Sequence, residues 1–158
     1  MDGAYGNQAN DRRHVIKFFG NYNVTDAISV GWNSTLASGK PKSSFGQSYP
    51  STNPDLFGGY GDTFYITNAD GSFTKFPRGS QGFTSWTFNL DLSVSYSFAM
   101  NGIDMKATLD VFNVLDNQTP TRLNEHYEVS LGQVNQYYGA AYDWQTPRYV
   151  RIGFSARF

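Results

Sequence analysis

The sequence predicts an all-β protein: an antiparallel up-and-down meander of about five long strands, forming part of a transmembrane β-barrel. Three observations predict it. Apolar and polar residues alternate strictly in several segments, the alternating runs are long, and the connections between them are short and long by turns. A tilted membrane strand needs about 9–11 residues, whereas soluble strands mostly run about 5–6.

The first strand is predicted near 14–24. Ile16, Phe18, Tyr22 and Val24 share one face and Lys17 and Asn21 the other, with Phe19 breaking the pattern. A tight turn at Thr25-Asp26 leads to the second strand, 27–36, where Ile28, Val30, Trp32 and Leu36 oppose Ser29, Gly31, Asn33 and Thr35. The third, 84–98, carries the strongest signal. Trp86, Phe88, Leu90, Leu92, Val94, Tyr96 and Phe98 alternate with Thr87, Asn89, Asp91, Ser93, Ser95 and Ser97. A helix would place apolar residues at i, i+3 and i+4, and this segment does not. Aromatic ends around an aliphatic centre match the two interfacial girdles of a membrane barrel.

Ala99-Met100-Asn101-Gly102 is the next turn, with Asn-Gly a strong hairpin signal. The fourth strand, 103–115, sets Ile103, Met105, Ala107, Leu109 and Val111 against Asp104, Lys106, Thr108 and Asp110. The phase is lost at Phe112-Asn113-Val114, which marks a bulge or the membrane boundary. The fifth, 149–158, places Val150, Ile152, Phe154, Ala156 and Phe158 against Arg151, Gly153, Ser155 and Arg157. Long loops at 37–83 and 116–147 complete the layout of an outer-membrane barrel, with short periplasmic turns and long extracellular loops. The first loop is predicted to hold a small hairpin, Thr63–Thr67 and Ser72–Phe76 around Asn68-Ala69-Asp70-Gly71.

Composition agrees. Of the 158 residues 17% are aromatic and 16% charged, against about 25% charged in average soluble domains. Mean hydropathy is −0.48, and no run of about 18 apolar residues occurs, so membrane helices are excluded. A net charge of −1 gives no basis for a nucleic-acid partner. Without cysteine there are no disulfides, no thiolate chemistry and none of the commonest structural zinc sites. Met1-Asp2-Gly3-Ala4-Tyr5-Gly6 has neither the basic start nor the apolar stretch of a signal peptide, so the chain is expected to be mature or part of something longer.

Little points to catalysis, and the chain is not expected to be an enzyme or to carry a cofactor. In Glu125-His126-Tyr127-Glu128 a histidine sits among carboxylates, the beginnings of a metal site or acid–base pair. The plainer expectation is a solvated loop whose polar groups pair with one another or with water, and no metal is expected. Phe57-Gly58-Gly59-Tyr60-Gly61-Asp62 is glycine-rich, but no P-loop lysine or helix signal follows. No G-x-S-x-G motif occurs. The better candidates are loop residues for ligand contact: Tyr49, Tyr60, Tyr65, Arg78, Tyr127, Tyr137, Tyr138 and Tyr142. Tyrosine offers large contact area at low entropic cost, although the same rings serve for packing loops together.

The stretch Arg151-Ile152-Gly153-Phe154-Ser155-Ala156-Arg157-Phe158 resembles the β-signal read by the barrel-assembly machinery. That pattern is a polar residue, Gly two later, hydrophobic residues three and five after the Gly, and a terminal aromatic. Arg151, Gly153 and Phe158 match it, and Ala156 is a weak hydrophobic at its position. Further stretches resemble TonB-dependent receptors of the Oar-like (carboxypeptidase-regulatory-like) group. They are Asn10-Asp11-Arg12-Arg13-His14, Ala37-Ser38-Gly39-Lys40-Pro41, Pro77-Arg78-Gly79-Ser80, Asn89-Leu90-Asp91-Leu92, Asp110-Val111-Phe112-Asn113-Val114-Leu115-Asp116-Asn117-Gln118 and Trp144-Gln145-Thr146-Pro147-Arg148-Tyr149.

The resemblance implies a C-terminal barrel fragment of an outer-membrane receptor, lacking the plug, the TonB box and most of roughly 22 strands. Its implied partners are the rest of the barrel and the plug, outer-membrane lipid and the assembly machinery, with TonB acting indirectly through the missing plug. The ligand is left open among siderophore, oligosaccharide and peptide-derived compounds. The alternative is a soluble all-β ligand-binding module, which would explain the alternation and the aromatics but not the strand lengths.

Overall fold

The computed structural model describes residues 3–48 and 62–157, which are all-β, with no helix among them. Strands follow in chain order: β1 (Val15–Asn23), β2 (Ile28–Ala37), β3 (Tyr65–Thr67), β4 (Phe73–Lys75), β5 (Thr87–Met100), β6 (Ile103–Phe112), β7 (Pro120–Leu123), β8 (Glu128–Ser130), β9 (Gln133–Val134), β10 (Ala141–Trp144) and β11 (Tyr149–Arg157). They fall into two compact units. The sheet unit comprises His14–Ser38, Trp86–Thr119 and the chain from Gln145 on; the insert unit comprises the described residues of 3–13, 39–85 and 120–144.

In the sheet unit the five long strands form an antiparallel meander in the order β1-β2-β5-β6-β11. They coincide with the five predicted from alternation. The register makes that alternation a property of the whole sheet. Tyr22, Val30, Val94, Leu109 and Ile152 stand opposite one another in one row. One residue along, the row reads Asn21, Gly31, Ser93, Asp110 and Arg151. Because side chains alternate across a strand, one face is predominantly apolar and the other predominantly polar, with Phe19 and Phe112 falling on the polar side.

The apolar face is open: Val94 is 42% exposed, Leu109 44% and Ile152 80%. On the polar face Ser95 is buried, while Lys17, Asn21, Asp104, Lys106 and Arg151 are exposed. Hydrogen bonds knit the polar face. Ser29 and Ser95 hydroxyls lie 2.6 Å apart, Ser93 donates to Asp110 at 2.6 Å, and Arg151 Nε donates to the same carboxylate at 2.9 Å. Asp91 accepts from the Asn89 side chain and the Asn113 backbone.

On the apolar side, Trp32 lies over Gly20 of the neighbouring strand. A Cβ on Gly20 would meet the ring at 2.4 Å, so the absent side chain makes room for the indole. This is the arrangement by which an aromatic covers a strand glycine.

The turns differ slightly from expectation. β5 runs on to Met100, and the turn narrows to Asn101-Gly102, both at positive φ (53° and 77°) as a type I′ hairpin requires. The first turn is wider than the two residues predicted. Val24–Ala27 are outside the strands, and Thr25 Oγ1 accepts the Ala27 and Ile28 amides. β6 stops at Phe112, short of Leu115, because Asn113 takes a left-handed conformation (φ 49°). The ladder would put Asn113 opposite Leu90, yet it is the Val114 amide that donates to Leu90 O, so Asn113 is an inserted bulge residue. Asn113 is buried and bonds Asn117 and Thr146 O, tying the end of β6 to the approach of β11.

The insert unit departs further from expectation. The small hairpin forms as β3–β4, with Asp70 accepting both the amide and the hydroxyl of Ser72. Those bonds hold the Asp70 carboxyl below the usual range. The segment 116–147, expected as plain loop, contributes two more two-stranded sheets, β10-β7 and β8-β9. Their strands of two to four residues carry no readable alternation. Phe64, Tyr65 and Ile66 are buried there with Ser43, Ser44, Ser48, Thr63 and Glu128, so the core is largely polar.

Candidate functional site

Within the insert unit lies an open cavity of about 910 Å³, in the size range of small-ligand sites. Lys40, Phe45, Arg122, Glu125, Tyr137 and Tyr142 contribute to its lining.

Local structure fixes each of these. Ala141 of β10 stands opposite Leu123 of β7, and the Arg122 guanidinium lies 5.1 Å from the centre of the Tyr142 ring. Tyr137 rides on a turn pinned by buried Asn135, whose Oδ1 accepts the Tyr137 amide at 3.0 Å and whose Nδ2 donates to His126 O at 2.8 Å. The Ala140 amide donates to Tyr137 O, and Asn124 bonds Ala140 O and Gly139 N, so this turn is anchored to β7's exit. Phe45 is held by main-chain bonds to Glu125 O and from the Tyr127 amide. Lys40 is positioned by a two-way link to Thr84, its amide to Thr84 Oγ1 and the Thr84 amide to Lys40 O, both 2.9 Å, beside the Pro41–Phe83 bridge. Among the described residues, neither Lys40 nor Arg122 has a carboxylate within 4 Å.

The Glu125–Glu128 stretch is not the solvated loop expected. Glu128 is 1% exposed and accepts the Gln47 amide (2.8 Å), the Ser48 hydroxyl (2.7 Å) and the Thr67 amide (2.6 Å). A buried carboxylate accepting from two backbone amides and a hydroxyl is a structural clamp. Glu125 accepts the Ser43 amide at 3.2 Å. His126 Nδ1 lies 3.2 Å from Asp62 Oδ1, which also takes the Gln47 side-chain amide. No group of three potential metal ligands occurs among the described residues.

Burial raises the Glu125 carboxyl above its ordinary range, against the lowering pull of the Ser43 amide, His126, Lys42 and Arg122. A carboxyl raised on folding binds its proton more tightly in the folded state, so stability falls as pH rises through the raised value. Glu125→Gln, which keeps an acceptor for Ser43, is therefore expected to strengthen protection of the Ser43 amide at pH 7. That gain should close as pH drops below the ordinary glutamate range. Amide exchange across pH 4–8 measures it, and equal protection at every pH would discount burial as the cause.

Of the tyrosines singled out in the sequence, the structure brings Tyr137 and Tyr142 to the cavity. Tyr65 is buried in β3, and Arg78 stacks over Phe64 and bonds Gln8. Tyr127 and Tyr138 pack edge to face at 5.1 Å, with the Tyr138 hydroxyl on Ser44 Oγ. These four hold the insert unit together. Tyr49, Tyr60, the stretch from Phe57 to Gly61 and Phe158 lie outside the described residues. Arg151 pairs with Asp110 in the sheet, and Gly153 stands opposite Thr108, whose hydroxyl a Cβ would strike at 2.5 Å. Sequence reading missed Lys40, Phe45 and Arg122 as cavity residues.

No protein-family model, characterised protein or solved structure matches the chain.

Proposed function

We propose that the chain is a wall segment of a bacterial outer-membrane β-barrel of the TonB-dependent receptor class, completed by further barrel strands and a plug. The observation that carries this reading is the exposed apolar face of the five-stranded sheet, opposite a polar face cross-linked by side-chain hydrogen bonds. An exposed apolar face suits hydrocarbon outside, and a hydrogen-bonded polar face suits a lumen inside.

Dimensions agree. Phe88 to Phe98 runs about 33 Å along β5, which at a tilt of about 45° spans roughly 23 Å, close to the apolar band of about 25 Å. Among the described residues β1 pairs only with β2 and β11 only with β6. In hydrocarbon each unpaired backbone group costs several kcal/mol, so both edges call for neighbouring strands. In this reading lipid covers Phe18, Val94 and Ile152, the plug faces the polar side, and β11 with Arg151 and Gly153 presents the assembly signal. TonB reaches the wall only through the plug.

The chain expressed alone is expected to self-associate in detergent-free buffer and to produce no conductance in planar bilayers. Phe18, Val94, Ile152 and Phe154, each 42–80% exposed, share one apolar face, a contiguous patch of the kind soluble monomers rarely present. Size-exclusion chromatography and bilayer recording test this. A monodisperse soluble monomer with cooperative unfolding would overturn the membrane assignment in favour of a soluble all-β ligand-binding module.

A further inference from the structure

The cavity of the insert unit carries an assignment of its own, independent of the membrane reading. We propose that it binds an acidic oligosaccharide, one whose sugar rings bear carboxylate groups.

Four observations converge on that chemistry. First, the cavity holds two cationic side chains, Lys40 and Arg122, without a carboxylate within salt-bridge distance among the described residues. The one acid in the lining, Glu125, is turned to the Ser43 amide. The surplus is positive, so the complementary ligand is an anion. Second, Arg122 is preorganised. Its guanidinium rests 5.1 Å from the Tyr142 ring centre, an arrangement that fixes the planar fork without consuming its hydrogen-bond donors. A fork held in this way binds a carboxylate bidentately and loses little freedom in doing so.

Third, Tyr137 is 63% exposed on a turn pinned through Asn135, and it is engaged in no ring stacking among the described residues. A rigidly carried, open aromatic ring is a platform for the C–H face of a pyranose, and among the described residues its hydroxyl has no hydrogen-bond partner. Fourth, the cavity is open and lined by side-chain amides and hydroxyls as well as rings, including Asn10, Asn124 and Thr121. The Asn124 carbonyl oxygen is taken by the His126 amide, which leaves its NH₂ group to donate outward. An apolar ligand would leave these polar groups dry and unpaired; a hydroxyl-rich one satisfies them. Tyr142 is accordingly a positioning residue for Arg122, and Arg122 and Tyr137 contact the sugar.

The test uses the full chain, in buffer where it stays soluble and in detergent where it self-associates, with the insert fold verified by its Asn135 and Tyr137 amide signals, and trigalacturonate and maltotriose as probes in isothermal titration at low and high salt. Trigalacturonate is expected to bind at least tenfold more tightly than maltotriose, with the advantage shrinking as salt rises. Arg122→Gln should remove most of the preference and bring the two sugars to similar affinity. Tyr142→Phe, which keeps a ring under the guanidinium, should bind like the parent, whereas Tyr142→Ala should lose preference for the acid. Tyr137→Ala should weaken both sugars together. The Asn135 and Tyr137 amide signals report whether each variant retains the turn.

Equal affinity for the two sugars, no binding of trigalacturonate, or an Arg122→Gln protein of unchanged preference would each overturn the proposal. Because binding is read separately from membrane insertion, a chain that inserts into vesicles yet ignores trigalacturonate defeats this assignment alone. A soluble chain that binds it defeats the barrel reading alone.

Discussion

On the proposed barrel reading, Leu92→Lys is expected to destabilise the assembled barrel by about 2–4 kcal/mol, while Ser93→Lys costs much less. Leu92 stands in the middle of β5, in a row with Trp32, Val111 and Val150 on the exposed apolar face. On that reading a lysine there faces hydrocarbon near the midplane, where its ammonium loses hydration. Ser93 points to the opposite side, where it donates to Asp110 in a row that also contains Asn21 and Arg151. A lysine on that side has Asp110 for a counter-ion and a polar lumen for its surroundings. Reversible urea unfolding of the complete barrel in lipid vesicles measures both losses. Similar losses at the two positions would sink the assignment of faces.

Glu128→Ala is expected to cost the insert unit roughly 3 kcal/mol or more. The substitution leaves the Gln47 and Thr67 amides and the Ser48 hydroxyl without their acceptor, in a place where Glu128 itself is 1% exposed. A buried donor left unpaired costs about 1–3 kcal/mol, and three are released together. Glu128→Gln should cost less, since one oxygen still accepts while the new NH₂ group opposes a donor. Exchange rates at Gln47 and Thr67 report the effect directly. Unchanged protection of both amides in the alanine variant would show that the clamp is redundant.

The two units were unequally legible in the sequence, and the reason is physical. Alternation from Phe88 to Phe98 reports a strand because each residue meets one of two unlike environments, and five such strands give the meander. Asn101-Gly102 reports its turn because few other pairs take two positive φ values without strain. The insert unit sends no such signal. Its strands are too short to show a period, and much of its core is Ser48, Thr63 and Glu128, residue types that read as loop. Tyrosine enrichment marked the insert segments, but not which rings are open. That depends on packing between distant stretches, such as Tyr138 on Ser44 against free Tyr137. Lys40 and Arg122 line one cavity from separate stretches of the insert unit and share no motif.

The alternation of short and long connections also bears on the order in which the chain folds. β5 and β6 are joined across two residues, but β2 and β5 pair across about fifty, from Ala37 opposite Thr87. Loop-closure entropy rises by about 0.6 kcal/mol per doubling of length, so the second pairing starts with a handicap of about 3 kcal/mol. The link between Lys40 and Thr84, with the Pro41–Phe83 bridge beside it, spans the same segment; formed first, it would remove most of that handicap. Trp144 opposite Pro120 does the same for the connection between β6 and β11. On this ordering, closing those two spans first would make the distant pairings local ones, and the hairpins β1–β2 and β5–β6 would then dock as preformed units.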